Sequence, residues 1–257
     1  MPDLHLRALP ALSDNYIWTL SATDGAAVVV DPGEAGPVLA AMAQGLRPVA
    51  ILLTHHHGDH IGGVAGILGH ADVPCIGPAD PRVAPVTRRV GNGDEVEVPE
   101  LGLRFQVIEV PGHTSSHIAF HGGDWLFCGD TMFSLGCGRL FEGSAAQMLA
   151  SLDRLSRLPP RTLVCAAHEY SQSNARFART VDPDNPRLAQ RADEIDALRA
   201  AGRPTLPSLL GDEMACNPFL RPDAPALVDA VERRCGRRID GREAVFGALR
   251  AWKDEFR

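Results

Sequence analysis

The sequence predicts an α+β fold, with a sheet-rich domain over residues 1–170 and a small α-helical domain over residues 171–257. Three observations carry this expectation. Short apolar and β-branched runs, each closed by Gly, Pro or Asp, fill the first part. Beyond about Asp182 they give way to longer helical stretches parted by joints such as Gly202-Arg203-Pro204 and Asn217-Pro218. At four points in the first part, a strand-like run ends in residues able to bind a cation.

In chain order, Tyr16 to Ser21 and Ala26 to Asp31 read as a hairpin around Thr23-Asp24-Gly25, closed by Asp31-Pro32-Gly33. Pro37 to Gln44 has helical composition and stops at Gly45, as suits a helix C-terminus. Val49 to Leu53 is unbroken apolar, the mark of a strand covered on both faces, and Ile61 to Leu68 reads as one helix. Val96 to Val98, Leu103 to Val110, Ile118 to Phe120 and Trp125 to Cys128 make a meander. Ser144-Ala145-Ala146-Gln147 is a capping-box pattern opening a helix to about Arg157, with Met148, Leu149, Leu152 and Leu155 as its buried stripe. Thr162 to Ala166 is a further strand. Pro186 to Ala201, Ala224 to Cys235 and Arg242 to Phe256 read as the helices of the second part.

The run Val49 to Leu53 delivers Thr54-His55-His56-His57-Gly58-Asp59-His60, which holds four of the ten histidines. Alternate residues of an extended segment project to one side, so His55 and His57 can converge on one cation while His56 points away as a surface or supporting residue. Asp59 and His60 lie where the chain turns into the next helix, a turn that Gly58, Gly62 and Gly63 permit. A polar, His-rich surface loop is the plainer alternative, but H-x-H-x-D-H after a buried strand is more constrained than a metal-binding tract. Three more strand ends carry His113, Asp130 and His168. Singly these are ordinary turn or cap residues. Their shared position at strand ends marks one rim, where rigid strands fix geometry and loops supply chemistry.

Composition narrows the function. The chain has 257 residues, 45% hydrophobic and 22% charged, enough to bury a sizeable core. A net charge of -7 argues against nucleic-acid binding. No apolar run approaches the ~20 residues of a bilayer span, and Met1-Pro2-Asp3-Leu4-His5 lacks a basic segment followed by an apolar core, so a cytoplasmic protein without membrane partners is expected. Six cysteines without a C-x-x-C pair indicate neither a disulfide framework nor a thiolate zinc site. Arg233, Arg234, Arg237, Arg238, Arg242, Arg250 and Lys253, the one lysine, crowd the last quarter as a solvated helix face or a local anion site.

These residues resemble the metallo-β-lactamase superfamily, a four-layer αββα sandwich with one or two metals at the rim of its sheets. The resemblance implies that His55, His57 and His113 hold a first metal ion, Asp59, His60 and His168 a second, and that Asp130 bridges them. Within the superfamily the whole chain is similar to the hydroxyacylglutathione hydrolase (glyoxalase II) family. The matching residues are Ser13-Asp14-Asn15-Tyr16, Gly129-Asp130-Thr131, Gly136-Cys137-Gly138-Arg139, Glu142-Gly143, His168-Glu169-Tyr170 with Asn174 and Phe177, Asn217-Pro218-Phe219-Leu220-Arg221, and Arg250-x-x-Lys253-Asp254. The family's reaction is hydrolysis of S-D-lactoylglutathione and related 2-hydroxyacyl thioesters to D-lactate and glutathione, the second step of methylglyoxal disposal. Residues 1–170 would then be catalytic and residues 171–257 would bind substrate.

Seven nitrogen and oxygen ligands shared by two divalent ions leave room for a bridging hydroxide to attack the thioester carbonyl, with Asp59 as its orienter. Zinc is expected, and with no thiolate ligand iron or manganese also fit. By the same resemblance Arg250 and Lys253 take the glycine carboxylate of the glutathione thioester, Arg139 replaces the lysine usual in its motif, and Tyr170 contacts the peptide backbone. A monomer is expected.

Two departures stand out. Phe141 replaces a tyrosine common in the family, losing one polar contact worth ~1 kcal/mol and raising the expected Michaelis constant. Ser116 occupies a position commonly glycine, which would be strained if the backbone there has positive φ. Three rival readings remain. A lactonase of the same superfamily would not need Arg250 and Lys253, an iron-dependent persulfide dioxygenase usually binds one iron and lacks the helical tail, and a non-enzymatic metal-binding or nucleic-acid-interaction module is disfavoured by the acidic balance and the complete site.

Overall fold

The computed structural model describes residues 3–256; Met1, Pro2 and Arg257, which the expectations about the N-terminus and the domain limits included, lie outside the described residues. The protein forms two compact units. The first runs to Glu109 and takes in Ser116–Gly129 and Cys165–His168; the second holds Val110–Ser115, Asp130–Val164 and the chain from Glu169 onward. The two units thus interleave along the sequence.

The first sheet of the first unit orders β1 (Leu4–Ala11), β2 (Asn15–Ala22), β3 (Ala26–Val30), β4 (Arg47–Leu52), β5 (Cys75–Pro78) and β6 (Arg88–Val90) as neighbours. β1 to β3 are antiparallel and β3 to β6 parallel. The parallel half needs crossovers: a stretch without helix joins β5 to β6, while α1 (Gly36–Ala43) joins β3 to β4, and α2 (Gly58–Ile61) and α3 (Val64–Leu68) join β4 to β5. Their Val38, Ala41, Val64 and Ile67 pack with Ile17, Val29, Ile51 and Leu53 in one apolar core. β3 is buried at every position, which explains its unbroken apolar sequence.

The single helix expected over Ile61 to Leu68 is instead divided between α2 and α3. A Cβ at Gly63 would collide with the backbone of Glu34 and Ala35, so the chain kinks where it passes that turn and only glycine fits. β1, β5 and β6 were not among the expected strands. Cys75-Ile76-Gly77-Pro78 has little intrinsic β preference, and it is pairing with β4 that makes it a strand.

The second sheet contains the expected meander, β7 (Glu95–Val98), β8 (Leu103–Glu109), β9 (Ile118–Gly122) and β10 (Trp125–Gly129), all antiparallel. Phe105, Phe120 and Phe127 are fully buried on these strands.

The second unit begins its regular structure with a ribbon of β11 (Met132–Phe133) and β12 (Gly136–Cys137). α4 (Ala145–Leu155) follows with the predicted capping box, in which Ser144 Oγ accepts from Gln147 N at 3.2 Å and Gln147 Oε1 accepts from Ser144 N at 2.9 Å. β13 (Leu163–Ala166) starts here, where its Leu163 and Val164 pair with a later short strand, and its last two residues belong to the first unit. Next come α5 (Ser171–Val181), α6 (Pro186–Ala200), β14 (Ser208–Leu209), the short strand just mentioned, α7 (Leu210–Cys216), α8 (Pro225–Cys235) and α9 (Arg242–Glu255).

α5 and α7 were not anticipated as helices. α5 is rich in Ser, Gln, Asn and Arg, and its buried face mixes Asn174 and two alanines with Phe177 and Val181, so apolar periodicity understates it. Phe177 lies stacked on Phe219 at 5.9 Å and edge-on to Trp252 at 5.8 Å. Five of the six cysteines are buried and only Cys235 is exposed. Among the described residues no helix is long and apolar enough to cross a membrane.

Candidate functional site

In the first unit, the chain leaving β4 buries Thr54 and His55 and stays extended to His57, which has φ -63° and ψ 144° at the start of α2. The expected side-by-side placement follows, with the His55 and His57 rings 4.7 Å apart. His56 is half-buried, and its Nδ1 lies 3.9 Å from Asp80 Oδ2.

α2 carries Asp59 and His60. The donor atoms of Asp59, His60 and His168 all fall within 4.8 Å of one another, with His60 Nε2 3.5 Å and His168 Nε2 3.4 Å from Asp59 Oδ2. The outer nitrogens are held. His60 Nδ1 lies 3.1 Å from Asp31 Oδ2, and His168 Nδ1 lies 2.8 Å from Asp14 Oδ1. A carboxylate only accepts, so each Nδ1 carries the proton and each Nε2 presents its lone pair.

His55 is set the same way. Thr54 Oγ1 donates to Asp31 Oδ2 at 2.7 Å, which leaves it an acceptor for His55 Nδ1 at 3.0 Å. Asp31 also accepts from Thr54 N at 2.8 Å and holds φ +51°, a conformation its several bonds sustain. Asn15 Nδ2 donates to Asp59 Oδ2 at 3.1 Å. His117, fully buried, stacks on His55 at 4.5 Å and 18°. Gly129, immediately before Asp130, has φ +48°, and a Cβ there would collide with Thr54 Oγ1 and crowd the His117 ring.

In the second unit His113 Nε2 lies 3.3 Å from Asp130 Oδ2. His113 Nδ1 lies 2.9 Å from the Arg139 carbonyl, again fixing the proton on Nδ1. Glu142 Oε2 accepts from both the backbone N and the Oγ of Ser115 at 2.8 Å, tethering the loop that carries His113. Phe141 is 63% exposed and meets the His113 ring edge-on at 5.2 Å.

The same unit gathers the predicted anion-binding residues around Asp254. Arg250, only 5% exposed, donates from Nη1 to the Cys137 carbonyl at 2.7 Å and from Nη2 to Asp254 Oδ1 at 3.0 Å. Arg139 Nε lies 3.5 Å from the same Asp254 oxygen. Lys253 Nζ donates to Ser173 Oγ at 3.0 Å and sits 5.8 Å from the ring centres of Phe177 and Phe256. Burial, then the neighbouring Arg250, Arg176 and Arg139, bring its pKa down to about 8 against the pull of Asp254. Tyr170 is partly exposed and edge-on to Phe133 at 5.2 Å.

Asn217 Nδ2 donates to the carbonyls of Phe133 and Gly136 at 3.1 and 3.0 Å, and Asn174 Nδ2 to that of Ser134 at 3.0 Å, so both shape the ribbon preceding Arg139. Burial pushes the Cys75 and Cys216 thiols up to about 12 and raises Cys137 and Cys165 as well, which keeps these four protonated.

The donor set, imidazole Nε2 atoms and carboxylates with outer protons fixed, suits divalent metal ions. Sequence reasoning assigned no role to Asp31, Thr54 or His117, and it matched Asp14, Asn15 and Glu142 only as family residues. Asp31 had a readable signal, a carboxylate closing a fully apolar strand. The strain considered at Ser116 is absent: among the described residues the non-glycine positions with positive φ are Leu12, Asp31 and Leu135, and Ser116 Oγ donates to Asp80 Oδ2 at 2.5 Å.

Residues 15–168 match the family model described as the metallo-beta-lactamase superfamily, and residues 169–256 match that described as the hydroxyacylglutathione hydrolase C-terminus. A hydroxyacylglutathione hydrolase from Xanthomonas euvesicatoria pv. vesicatoria (strain 85-10) is 54% identical over 256 residues, covering 99% of this chain and 100% of the relative. The crystal structure of BLEG-1 B3 metallo-beta-lactamase superposes with a TM-score of 0.64 at 24% identity over 84% of this chain and 99% of that one, a likeness of fold. The crystal structure of TTHA1623 in a di-iron-bound form gives a TM-score of 0.54 at 33% identity, over 64% of this chain and 91% of that one.

Proposed function

The chain belongs to the hydroxyacylglutathione hydrolase family of the metallo-β-lactamase superfamily, and from that membership we infer a hydrolase that cleaves S-D-lactoylglutathione to D-lactate and glutathione at a centre of two divalent metal ions. One observation carries the metal centre. His60 and His168 donate from Nδ1 to Asp31 and Asp14 and turn both Nε2 atoms toward Asp59, an arrangement that presents their lone pairs to a cation.

The reading assigns His55, His57 and His113 to one ion, Asp59, His60 and His168 to the other, and Asp130 to both. Zinc is the proposed metal; the nitrogen and oxygen donors also admit iron or manganese, and the similarity to a protein solved in a di-iron-bound form supports that range. When bound, the ions supply a nucleophile from water near neutral pH and polarise the thioester carbonyl.

The chain's own residues do the rest. Asp59, held by Asn15, orients the nucleophile. Arg250, Lys253 and Arg139 form a cationic wall for the glycine carboxylate, and Tyr170 meets the peptide. Phe141 offers an apolar face where a hydroxyl would add a bond. The departing thiolate has an ordinary pKa of about 8.5, so no strong general acid is required. Residues 1–170 are the proposed catalytic domain and residues 171–257 the substrate-binding domain of a monomer in the cytoplasm, without nucleic-acid or membrane partners.

The test is loss of thioester absorbance with S-D-lactoylglutathione, on protein of known metal content, beside a simple thioester and a lactone. Selective, metal-dependent turnover of the glutathione thioester is expected. Equal turnover of the lactone would replace the reading with a lactonase.

A further inference from the structure

Three successive residues, Ser116, His117 and Ile118, lie along the ligand loop of the first unit. Ile118 N donates to the Thr54 carbonyl at 3.0 Å. His117 stacks on ligand His55. Ser116, directly before His117, donates its hydroxyl to Asp80 Oδ2. His117 lies against the His55 ring, so a bond that fixes its neighbour Ser116 limits how far His117, and with it His55, can shift.

Asp80 is built to hold still. It is 4% exposed, and Arg82 clamps it with Nη2 on Oδ2 at 2.7 Å and with both Nε and the backbone N on Oδ1 at 3.0 and 2.9 Å. Arg89 Nη1 donates to the Asp80 carbonyl at 2.6 Å, fixing the backbone of the same residue to β6. The hydrogen bond from Arg82, aided by that from Ser116, outweighs burial and keeps the carboxyl well below the usual range, so it stays an acceptor. Nothing in the proposed reaction uses this carboxylate, which leaves its elaborate support without a catalytic purpose.

We propose that Asp80 is a positioning residue for the metal-ligand loop, joined to it through Ser116 and the His117 ring stacked on His55, a latch that keeps His55 in its coordinating arrangement before a metal arrives. A glycine at position 116 would have no hydroxyl to give. The proposal rests on the two-metal reading above and concerns retention of the metal, not the thioester.

The experiment uses full-length holoprotein. Metal release to a chromophoric chelator and the visible spectrum of the cobalt-loaded protein are compared for the parent, Ser116→Ala, Ser116→Gly, Ser116→Thr and Asp80→Asn. Losing the tie is expected to speed release about 10-fold in the Ala, Gly and Asn variants and to shift the cobalt bands, as outer-shell losses do. Ser116→Thr, which keeps the hydroxyl, retains the parent behaviour. Unchanged release and spectra in Ser116→Ala and Ser116→Gly would overturn the proposal, as would a loss of thermal stability equal in metal-free and metal-loaded forms with no spectral change. Should Asp80→Asn fail to fold, the two serine variants decide alone. A parent that takes up no metal would sink the two-metal reading and the latch with it, whereas a metal-loaded parent matched by its variants sinks the latch only.

Discussion

Asp31 Oδ2 stands 3.1 Å from His60 Nδ1 and also accepts from the Thr54 hydroxyl at 2.7 Å, so one buried carboxylate sets the tautomers of two histidines of the proposed metal site, His60 directly and His55 through Thr54. Replacing Asp31 with alanine removes both orientations together. Metal affinity is expected to fall about 10- to 100-fold, read as metal content after dialysis against graded free zinc, with activity recovering at high metal. Retention of both ions at parental affinity would separate Asp31 from the site.

Lys253 gives the enzyme an expected pH dependence. Burial, then Arg250, Arg176 and Arg139, bring its pKa to about 8, and Asp254 opposes them. The protonated amine is the form that attracts a carboxylate, so the favourable charge is present below that pKa and lost as pH rises through it. KM for S-D-lactoylglutathione should therefore climb between pH 7 and 9 (a window of about one unit either side) while kcat changes little. A lactoyl thioester lacking the glycine carboxylate should show no such climb, and Lys253→Met should flatten it for the full substrate.

Phe141→Tyr tests the departure at the exposed aromatic beside His113. The side chain is largely solvent-exposed, so an added hydroxyl meets no packing barrier. One new hydrogen bond to substrate is worth ~1 kcal/mol, a fall in KM of about fivefold at unchanged kcat. An unaltered KM would mean that position 141 does not face glutathione.

How much of this was legible depended on which kind of residue carried the signal. The strand Val49 to Leu53 and its histidine loop could be read directly, because unbroken apolar sequence followed by spaced H-x-H-x-D-H has few other meanings. The capping box at Ser144 could be read because its partners are three residues apart. Asp31 could not be assigned its role, since its partners Thr54 and His60 are 23 and 29 residues away and only the fold brings them together. α2 and α3 were merged because the feature that divides them, the Glu34 backbone against Gly63, is a tertiary contact. α5 escaped because its buried face is partly polar, with Asn174 turned inward to hold the Ser134 carbonyl.

Phe177 links the stability of the helical region to the charge of Lys253. Its ring is fully buried, stacked on Phe219, edge-on to Trp252 and Phe256, and 5.8 Å below the Lys253 ammonium. Phe177→Ala should cost about 3–5 kcal/mol, measured by urea unfolding. It should also admit water beside Nζ, and because desolvation is the largest cause of the lowered pKa, the pKa should move back up. The rise of KM with pH should then begin at higher pH in the variant than in the parent, provided the assay is run well below the unfolding midpoint. A destabilised variant with an unmoved pH profile would show that the neighbouring arginines, and not burial beside this ring, set the Lys253 charge.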